Sequence, residues 1–150
     1  MQIAKNLLAA TDFSVLGRGV VDHALELAEL FDGKLSVVSV YTPVGGVPPV
    51  NRETDELRRE MAELEKRLEP SGRINRAFIQ FGDPAETIVR VAQEIHADLI
   101  VMGTNSRHGF NRWTSSSVAF EVMRHAPVPL LVIKKAALRA RETADSAADR

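Results

Sequence analysis

The chain has no cysteine, and this single absence excludes several kinds of chemistry. A disulfide scaffold, a thiolate metal site and a cysteine nucleophile all need the missing thiol. Redox sensing through thiols of the chain itself is excluded for the same reason. Whatever this protein does, it does with oxygen and nitrogen groups.

Long apolar runs and an excess of one charge are also missing. The apolar stretch at residues 7–10 is short and is soon followed by Asp12, whereas a secretory signal core needs about 7–15 apolar residues and a membrane span about 20. Nineteen Lys and Arg face 20 Asp and Glu, for a net charge of −1. Binding to nucleic acid or to an anionic membrane usually needs a strong basic excess. We therefore expect a soluble, cytoplasmic protein that binds neither.

What the chain does contain is an alternation of short apolar runs and helical patterns. With 150 residues, 45% of them apolar, it has the size of one ordinary domain. Apolar runs bounded by Gly, Pro or Asp are typical of strands, and they lie at residues 3–10, 35–41, 74–81, 99–102 and 130–133. The last two runs are apolar on consecutive residues, as in parallel strands that are covered on both faces.

Four helices are predicted between these runs. Apolar residues recur at helical spacing over residues 20–31, 57–68, 84–95 and 117–125. Asn51 is a candidate N-cap of the second helix and Asp83, followed by Pro84, of the third; the fourth is expected to start within residues 115–117. Strict alternation of strand and helix predicts a doubly wound α/β domain with a parallel five-stranded sheet and helices on both faces, a three-layer sandwich.

The end of the chain does not follow this pattern. Residues 136–150 are small and charged and show no apolar periodicity, so we expect a disordered tail. The domain is then predicted to span residues 1–135.

Polar residues follow the first and fourth predicted strands, and ligands of such sheets bind beyond the carboxyl ends of strands. Asp12 follows the first strand, where it could accept from the hydroxyls of a ribose or merely cap the turn before the first helix. Serines at residues 115–117 open the fourth helix, whose N-terminus favours an anion, although serine is also an ordinary helix cap. Arg107 and Arg112 are either phosphate contacts or surface charges.

No catalytic residue can be assigned from the sequence. The four histidines lie in separate segments without metal-ligand spacing, so no metal centre is predicted. Neither a Walker A loop nor a G-x-S-x-G motif occurs. Asp83 is better explained as a helix cap than as a phospho-acceptor, because a phospho-acceptor site would also need an acidic pair after the first strand.

Five segments together are recognisable: ATDFS at residues 10–14, GDPAETI at 82–88, ADLIVMGT at 97–104, SVA at 117–119 and RHAPVPLLV at 124–132. With them the chain resembles the universal stress protein family, within the adenine-nucleotide α-hydrolase-like superfamily, over residues 3–135. The resemblance implies the strand order 3-2-1-4-5 and a stress-response binding or regulatory module. It also implies a site for ATP or another adenine nucleotide, with magnesium if bound, in the crevice between the first and fourth strands.

The family's glycine pattern after the fourth strand is Gly, two residues, Gly, nine residues, Gly, then Ser or Thr. It falls on Gly103, Ser106, Ser116 and Ser117, so two of its three glycines are serines here. A serine forced into a left-handed backbone costs about 1–2 kcal/mol, and the expected site is therefore degenerate. The resemblance adds Asp12 and Ala10, a position at which the family often has Pro. It also adds three cradle residues through their backbone: Val40, Met102 and Val118.

The fifth strand would lie at an edge of the sheet and is apolar on both faces. An unpaired apolar edge invites association, and the family pairs this strand with the same strand of a second copy. The resemblance thus implies a homodimer through Leu130, Leu131, Val132 and Ile133; coverage by the polar tail is the alternative. A further protein partner is unknown.

Two other functions stay open at this point. One is a slow ATP hydrolase that uses the same crevice, although hydrolysis needs a positioned metal and water and Asp12 has no obvious second carboxylate beside it. The other is a dimeric interaction protein that binds no nucleotide.

Overall fold

A computed structural model describes residues 4–46, 52–104 and 116–149. Within them, β-strands and α-helices follow one another in the order β1 Asn6–Ala10, α1 Val15–Leu30, β2 Lys34–Tyr41, α2 Arg52–Leu68, β3 Ile74–Phe81, α3 Pro84–Glu94, β4 Leu99–Thr104, α4 Ser116–His125, β5 Leu130–Lys134 and α5 Lys135–Ala148. Short 3-10 turns occupy Val44–Gly46 and Glu69–Ser71.

The five strands form one sheet in the order β3-β2-β1-β4-β5, and each neighbouring pair is parallel. This confirms the predicted doubly wound topology. Leu7 of β1 lies beside Leu35 of β2 on one side and Leu99 of β4 on the other. The chain thus winds away from β1 in both directions, and the crevice of such a sheet opens beyond the carboxyl ends of β1 and β4.

Helices cover both faces of the sheet because the strand residues alternate between two cores. Leu7 and Ala9 pack with residues of α1 and α2 on one face. Leu8 and Ala10 pack with residues of α3 and α4 on the other. The predicted three-layer arrangement is therefore present.

The helix caps and strand boundaries predicted from the sequence agree with the structure in part. The Asp83 side chain accepts from the Glu86 amide at 2.9 Å and caps α3, with Pro84 in its first turn. Strand β1 begins later than predicted, since the amides of Lys5 and Asn6 donate to the carboxylate of Asp98. Asn51, the candidate cap of α2, lies outside the described residues.

The expectation of a disordered tail does not match the structure, in which α5 follows β5 without a gap. Alanine has the highest helix propensity, and this segment is rich in it, so a helix forms without an apolar stripe. One side chain, Leu138, packs against the core on the α1 face. It lies so close to Gly19 that a Cβ there would be 2.6 Å from its Cδ1.

Candidate functional site

The crevice is built around the turn from β1 into α1. Thr11 is fully buried, and its amide donates to the carbonyl of Val38 in β2 at 2.9 Å. Asp12 comes directly after this last sheet hydrogen bond. Its carboxylate is therefore placed at the carboxyl edge of the central strand, between β2 and β4.

The two oxygens of the Asp12 carboxylate have different surroundings. Oδ1 accepts from the amide of Ser14 at 2.9 Å and also from the Ser14 hydroxyl. Oδ2 is buried and has no hydrogen-bond partner among the described residues. A buried oxygen without a donor is costly and calls for an explanation. A ligand hydroxyl at this oxygen would remove that cost.

Ser14 links the carboxylate to the start of α1. Its Oγ accepts from the Gly17 amide at 3.1 Å and caps the helix, while the same hydroxyl donates to Asp12. Asp12 thus plays the turn role that the sequence left open, through Oδ1, and this leaves Oδ2 for another partner. The two roles do not exclude each other.

Gly17 is a site residue that the sequence does not reveal. A Cβ at this position would lie 2.6 Å from Oδ1 of Asp12 and 2.6 Å from Oγ1 of Thr11. Real Cβ atoms do not approach other atoms that closely, so only glycine leaves room for both side chains. Gly17 precedes the first helical pattern in the sequence, which begins at residue 20, so no local signal indicated this role.

Gly103 has a packing reason to be glycine. A Cβ there would lie 2.9 Å from Cγ2 of Val20 and 3.0 Å from Cγ of Leu16, both in α1. It thus lets α1 approach β4 closely, directly behind the Asp12 turn. This requirement stands beside its predicted part in a nucleotide cradle.

The remaining predicted cradle residues fall into two groups. Ala10, Val40 and Met102 are buried in the core under α3 and α4, and Val118 packs against them in part. Because their side chains are occupied in the core, any ligand contact would use their backbone, as the resemblance implies. The side chains of Ser116 and Ser117 and the whole of Ser106, Arg107 and Arg112 lie outside the described residues.

Among the described residues, no cluster of three or more His, Asp or Glu side chains could hold a metal ion. No helix among the same residues is both long and apolar enough to cross a membrane. Of the histidines, His125 faces Glu121 at 3.3 Å within α4, an ion pair when the imidazole is protonated.

The edge strand β5 carries exposed apolar side chains. Leu131 and Val132 are each 38% exposed, although α5 follows directly, whereas Ile133 is buried and Leu130 is half-buried. On α4, Phe120 and Met123 are also exposed.

The residues on the opposite side of α4 show which way Phe120 and Met123 face. There, Val118, Glu121 and His125 line a groove shared with α3. Phe120 and Met123 therefore lie on the side turned away from α3, towards β5. We call Phe120, Met123, Leu131 and Val132 the edge patch.

These features define a class of protein: a doubly wound α/β domain of the adenine-nucleotide α-hydrolase-like fold, with a polar crevice at its topological switch point. The model of the universal stress protein family matches residues 4–134. The chain belongs to the universal stress protein family.

Individual relatives agree with this assignment. A universal stress protein of Methanocaldococcus jannaschii is 33% identical over 141 residues, which cover 87% of this chain and 82% of the relative. The structure of a universal stress protein from Archaeoglobus fulgidus in complex with dAMP superposes with a TM-score of 0.66 at 25% identity, over 89% of this chain and all of that one. A universal stress protein in complex with cAMP has the same fold, with a TM-score of 0.69 at 22% identity over 87% of this chain and 97% of that one.

Proposed function

We propose that this chain is a cytoplasmic stress-response binding module that takes an adenine nucleotide, weakly, in the crevice between β1 and β4. The observation that carries the proposal is the buried Oδ2 of Asp12, to which no group in the described part of the chain donates. In this role it accepts from a ribose hydroxyl. Hydrogen bonds to charged groups contribute about 1.5–3 kcal/mol, enough to anchor one end of a ligand.

The relatives support the kind of ligand. The Archaeoglobus fulgidus protein holds dAMP on the same fold at 25% identity, and dAMP keeps one free sugar hydroxyl. One such hydroxyl suffices for the single carboxylate oxygen that Ser14 leaves open here. The base would then lie towards the backbone of Val40, and the phosphates towards the start of α4.

We expect weak binding because of the residues that would lie near the phosphates. Ser106 and Ser116 replace two glycines of the family pattern, and glycine lets phosphate approach backbone amides without an intervening Cβ. A penalty of about 1–2 kcal/mol for one serine held in a left-handed conformation corresponds to roughly tenfold in affinity. We therefore propose a regulatory binding site rather than an enzyme active site.

Dimerisation is the second part of the proposal. The edge patch combines the outer edge of β5, which pairs with no further strand among the described residues, with exposed apolar side chains from β5 and α4. Exposed apolar edges are normally blunted or paired, and a second copy of β5 supplies matching apolar residues. In this arrangement two sheets join into one across a twofold axis.

The nucleotide proposal is tested by calorimetry. Wild type is titrated with AMP and ATP, with and without magnesium, beside Asp12→Ala and the matched control Asp83→Ala. Asp83 likewise follows a strand and caps a helix, but it lies at α3. We expect Asp12→Ala to weaken AMP binding about tenfold or more and Asp83→Ala to leave it unchanged.

Other outcomes identify the rival functions. No heat with any nucleotide, together with a dimeric mass, would favour the interaction protein that binds no nucleotide. Release of phosphate from ATP above background, lost in Asp12→Ala, would favour the hydrolase. Equal weakening by both Asp variants would contradict the assigned role of Asp12.

A further inference from the structure

Phe13, between Asp12 and Ser14, has an unusual backbone. Its φ is +61°, in the left-handed region that residues other than Gly, Asn and Asp seldom adopt. Its amide donates to Oγ1 of Thr11 at 3.1 Å, and the next amide, that of Ser14, donates to Oδ1 of Asp12. Hydrogen bonds therefore close the turn on both sides of Phe13. Such a backbone persists only where surrounding contacts hold it.

Those contacts come from the side of the sheet opposite to α3 and α4. The Phe13 ring packs against the core under α1 and α2. It also borders a cavity of about 170 Å³ between these two helices, whose other lining residues are Arg18, Glu60, Glu63, Leu64 and Arg67. The ring is thus anchored between α1 and α2.

Two ion pairs connect α1 and α2 near the Phe13 ring. Arg18 of α1 meets Glu60 of α2 at 3.0 Å, and Arg67 of α2 meets Asp22 of α1 at 2.6 Å. Each is partly exposed and so contributes little to stability by itself, but both pairs link α1 to α2, the two helices that flank the ring. Movement of the ring would move the backbone that carries the Asp12 carboxylate.

We propose that Phe13 is a positioning residue that aims Oδ2 of Asp12 into the crevice and thereby makes the site selective for nucleotides with free sugar hydroxyls. The proposal rests on the proposed nucleotide function. Phe13 touches no ligand: its ring faces α1 and α2, and its strained backbone turns the preceding carboxylate towards the crevice. Without the anchor, the turn relaxes and Oδ2 loses its direction.

The experiment compares AMP with 2′,3′-dideoxy-AMP, which has no sugar hydroxyl to offer. Calorimetry gives both dissociation constants for the full-length wild type, Phe13→Ala, Phe13→Gly and Phe13→Leu. The control is Phe31→Ala, which removes another half-buried ring at the opposite end of α1. Amide hydrogen exchange at Ser14 is followed in parallel, because that amide donates to Asp12.

We expect wild type to prefer AMP by about tenfold or more. Phe13→Ala should reduce this preference to less than about threefold and speed Ser14 exchange, with dideoxy-AMP affinity retained. Phe13→Gly also removes the ring but adopts the left-handed backbone without strain, so it should lose less of the preference than Phe13→Ala. Phe13→Leu should restore much of the preference, and Phe31→Ala should keep all of it. Since the preference is a ratio within one protein sample, a partly unfolded variant does not distort it.

Failure of this proposal is distinguishable from failure of the nucleotide function. If wild type prefers AMP and Phe13→Ala keeps that preference, Phe13 does not position Asp12. If wild type binds neither nucleotide, the nucleotide function and the selectivity are both overturned. In that case Ser14 exchange still decides whether Phe13 holds the Asp12 turn, and unchanged exchange in Phe13→Ala would contradict it.

Discussion

Gly17 and Asp12 lie so close together that a Cβ on Gly17 would stand 2.6 Å from Oδ1 of the carboxylate. The glycine belongs to α1 and the aspartate to the turn before it. Ser14 closes the same unit, because its hydroxyl joins Asp12 to the Gly17 amide. The carboxylate therefore keeps its place only while position 17 has no side chain.

Substitution of Gly17 should be costly although it lies in a helix. Alanine in place of glycine normally stabilises a helix interior by about 1 kcal/mol, but here we expect Gly17→Ala to destabilise by about 1–3 kcal/mol through overpacking. It should also weaken AMP binding about tenfold or more, because Asp12 is displaced. Thermal unfolding and calorimetry measure the two effects.

Gly19→Ala is the matched control, since it places a methyl on the same helix against Leu138 rather than Asp12. It should loosen α5 and leave AMP affinity unchanged. A Gly17→Ala protein with wild-type stability and affinity would show that the turn can shift without consequence.

Restoring glycines should strengthen nucleotide binding. The double variant Ser106→Gly/Ser116→Gly removes two Cβ atoms from the phosphate end of the proposed site, and we expect ATP affinity to rise about tenfold. AMP, with fewer phosphates, should gain less. Calorimetry with both nucleotides checks this, and an unchanged ATP affinity would mean that these serines do not limit binding.

A charge in the edge patch should separate the proposed dimer. Val132→Asp introduces a carboxylate at a 38% exposed edge position, and its desolvation would oppose strand pairing. Light scattering should show a dimeric mass for wild type and half that mass for the variant. Val15→Asp, at a 77% exposed valine of α1, should leave the mass unchanged. A monomeric wild type would refute pairing through β5.

Asp32 should make a small contribution to stability that disappears in acid. A hydrogen bond from Arg73, helped by the charge of Lys5, lowers the pKa of this exposed carboxyl below its usual value of 3.8. A lowered folded-state pKa stabilises above the unfolded pKa, and the contribution is lost as pH falls through the folded-state pKa. The midpoint of thermal unfolding should therefore be slightly lower for Asp32→Asn at neutral pH.

That difference should shrink as the pH falls below about 4. Asparagine tolerates the left-handed backbone of Asp32, whose φ is +52°, so the substitution tests the charge alone. Arg73→Gln should abolish most of the same pH dependence. A gap that stays constant from neutral pH to strong acid would contradict the electrostatic explanation.

Local pattern predicted the scaffold well, and particular elements show why. Strand β3 starts and ends at the predicted residues, and α3 begins where Asp83 and Pro84 place it. In both cases the information lies in neighbouring residues: a bounded apolar run, or a cap and its proline. Helix α5 was missed because an alanine-rich helix needs no apolar stripe, and the contact of Leu138 with Gly19 is visible only in the structure.

The site residues also divide into one that the sequence indicated and two that only the structure revealed. Asp12 stood out from the sequence because a polar residue directly after a buried strand is a local signal at a known ligand position. Phe13 and Gly17 did not, since an aromatic residue in a turn and a glycine in a helix have many ordinary explanations. Their parts in the site depend on which atoms meet after α1 has packed against β1 and α2.

The sequence alone thus determined the absence of thiol chemistry, the alternation of strand and helix, the family resemblance and the position of Asp12. All of these depend on composition or on residues close along the chain. Only the tertiary structure decided that Oδ1 of Asp12 is occupied while Oδ2 has no donor within the described ranges, that Gly17 makes room for the carboxylate, and that Phe13 is anchored between α1 and α2. Each of these depends on distances between groups that packing brings together, and spacing along a chain does not specify such distances.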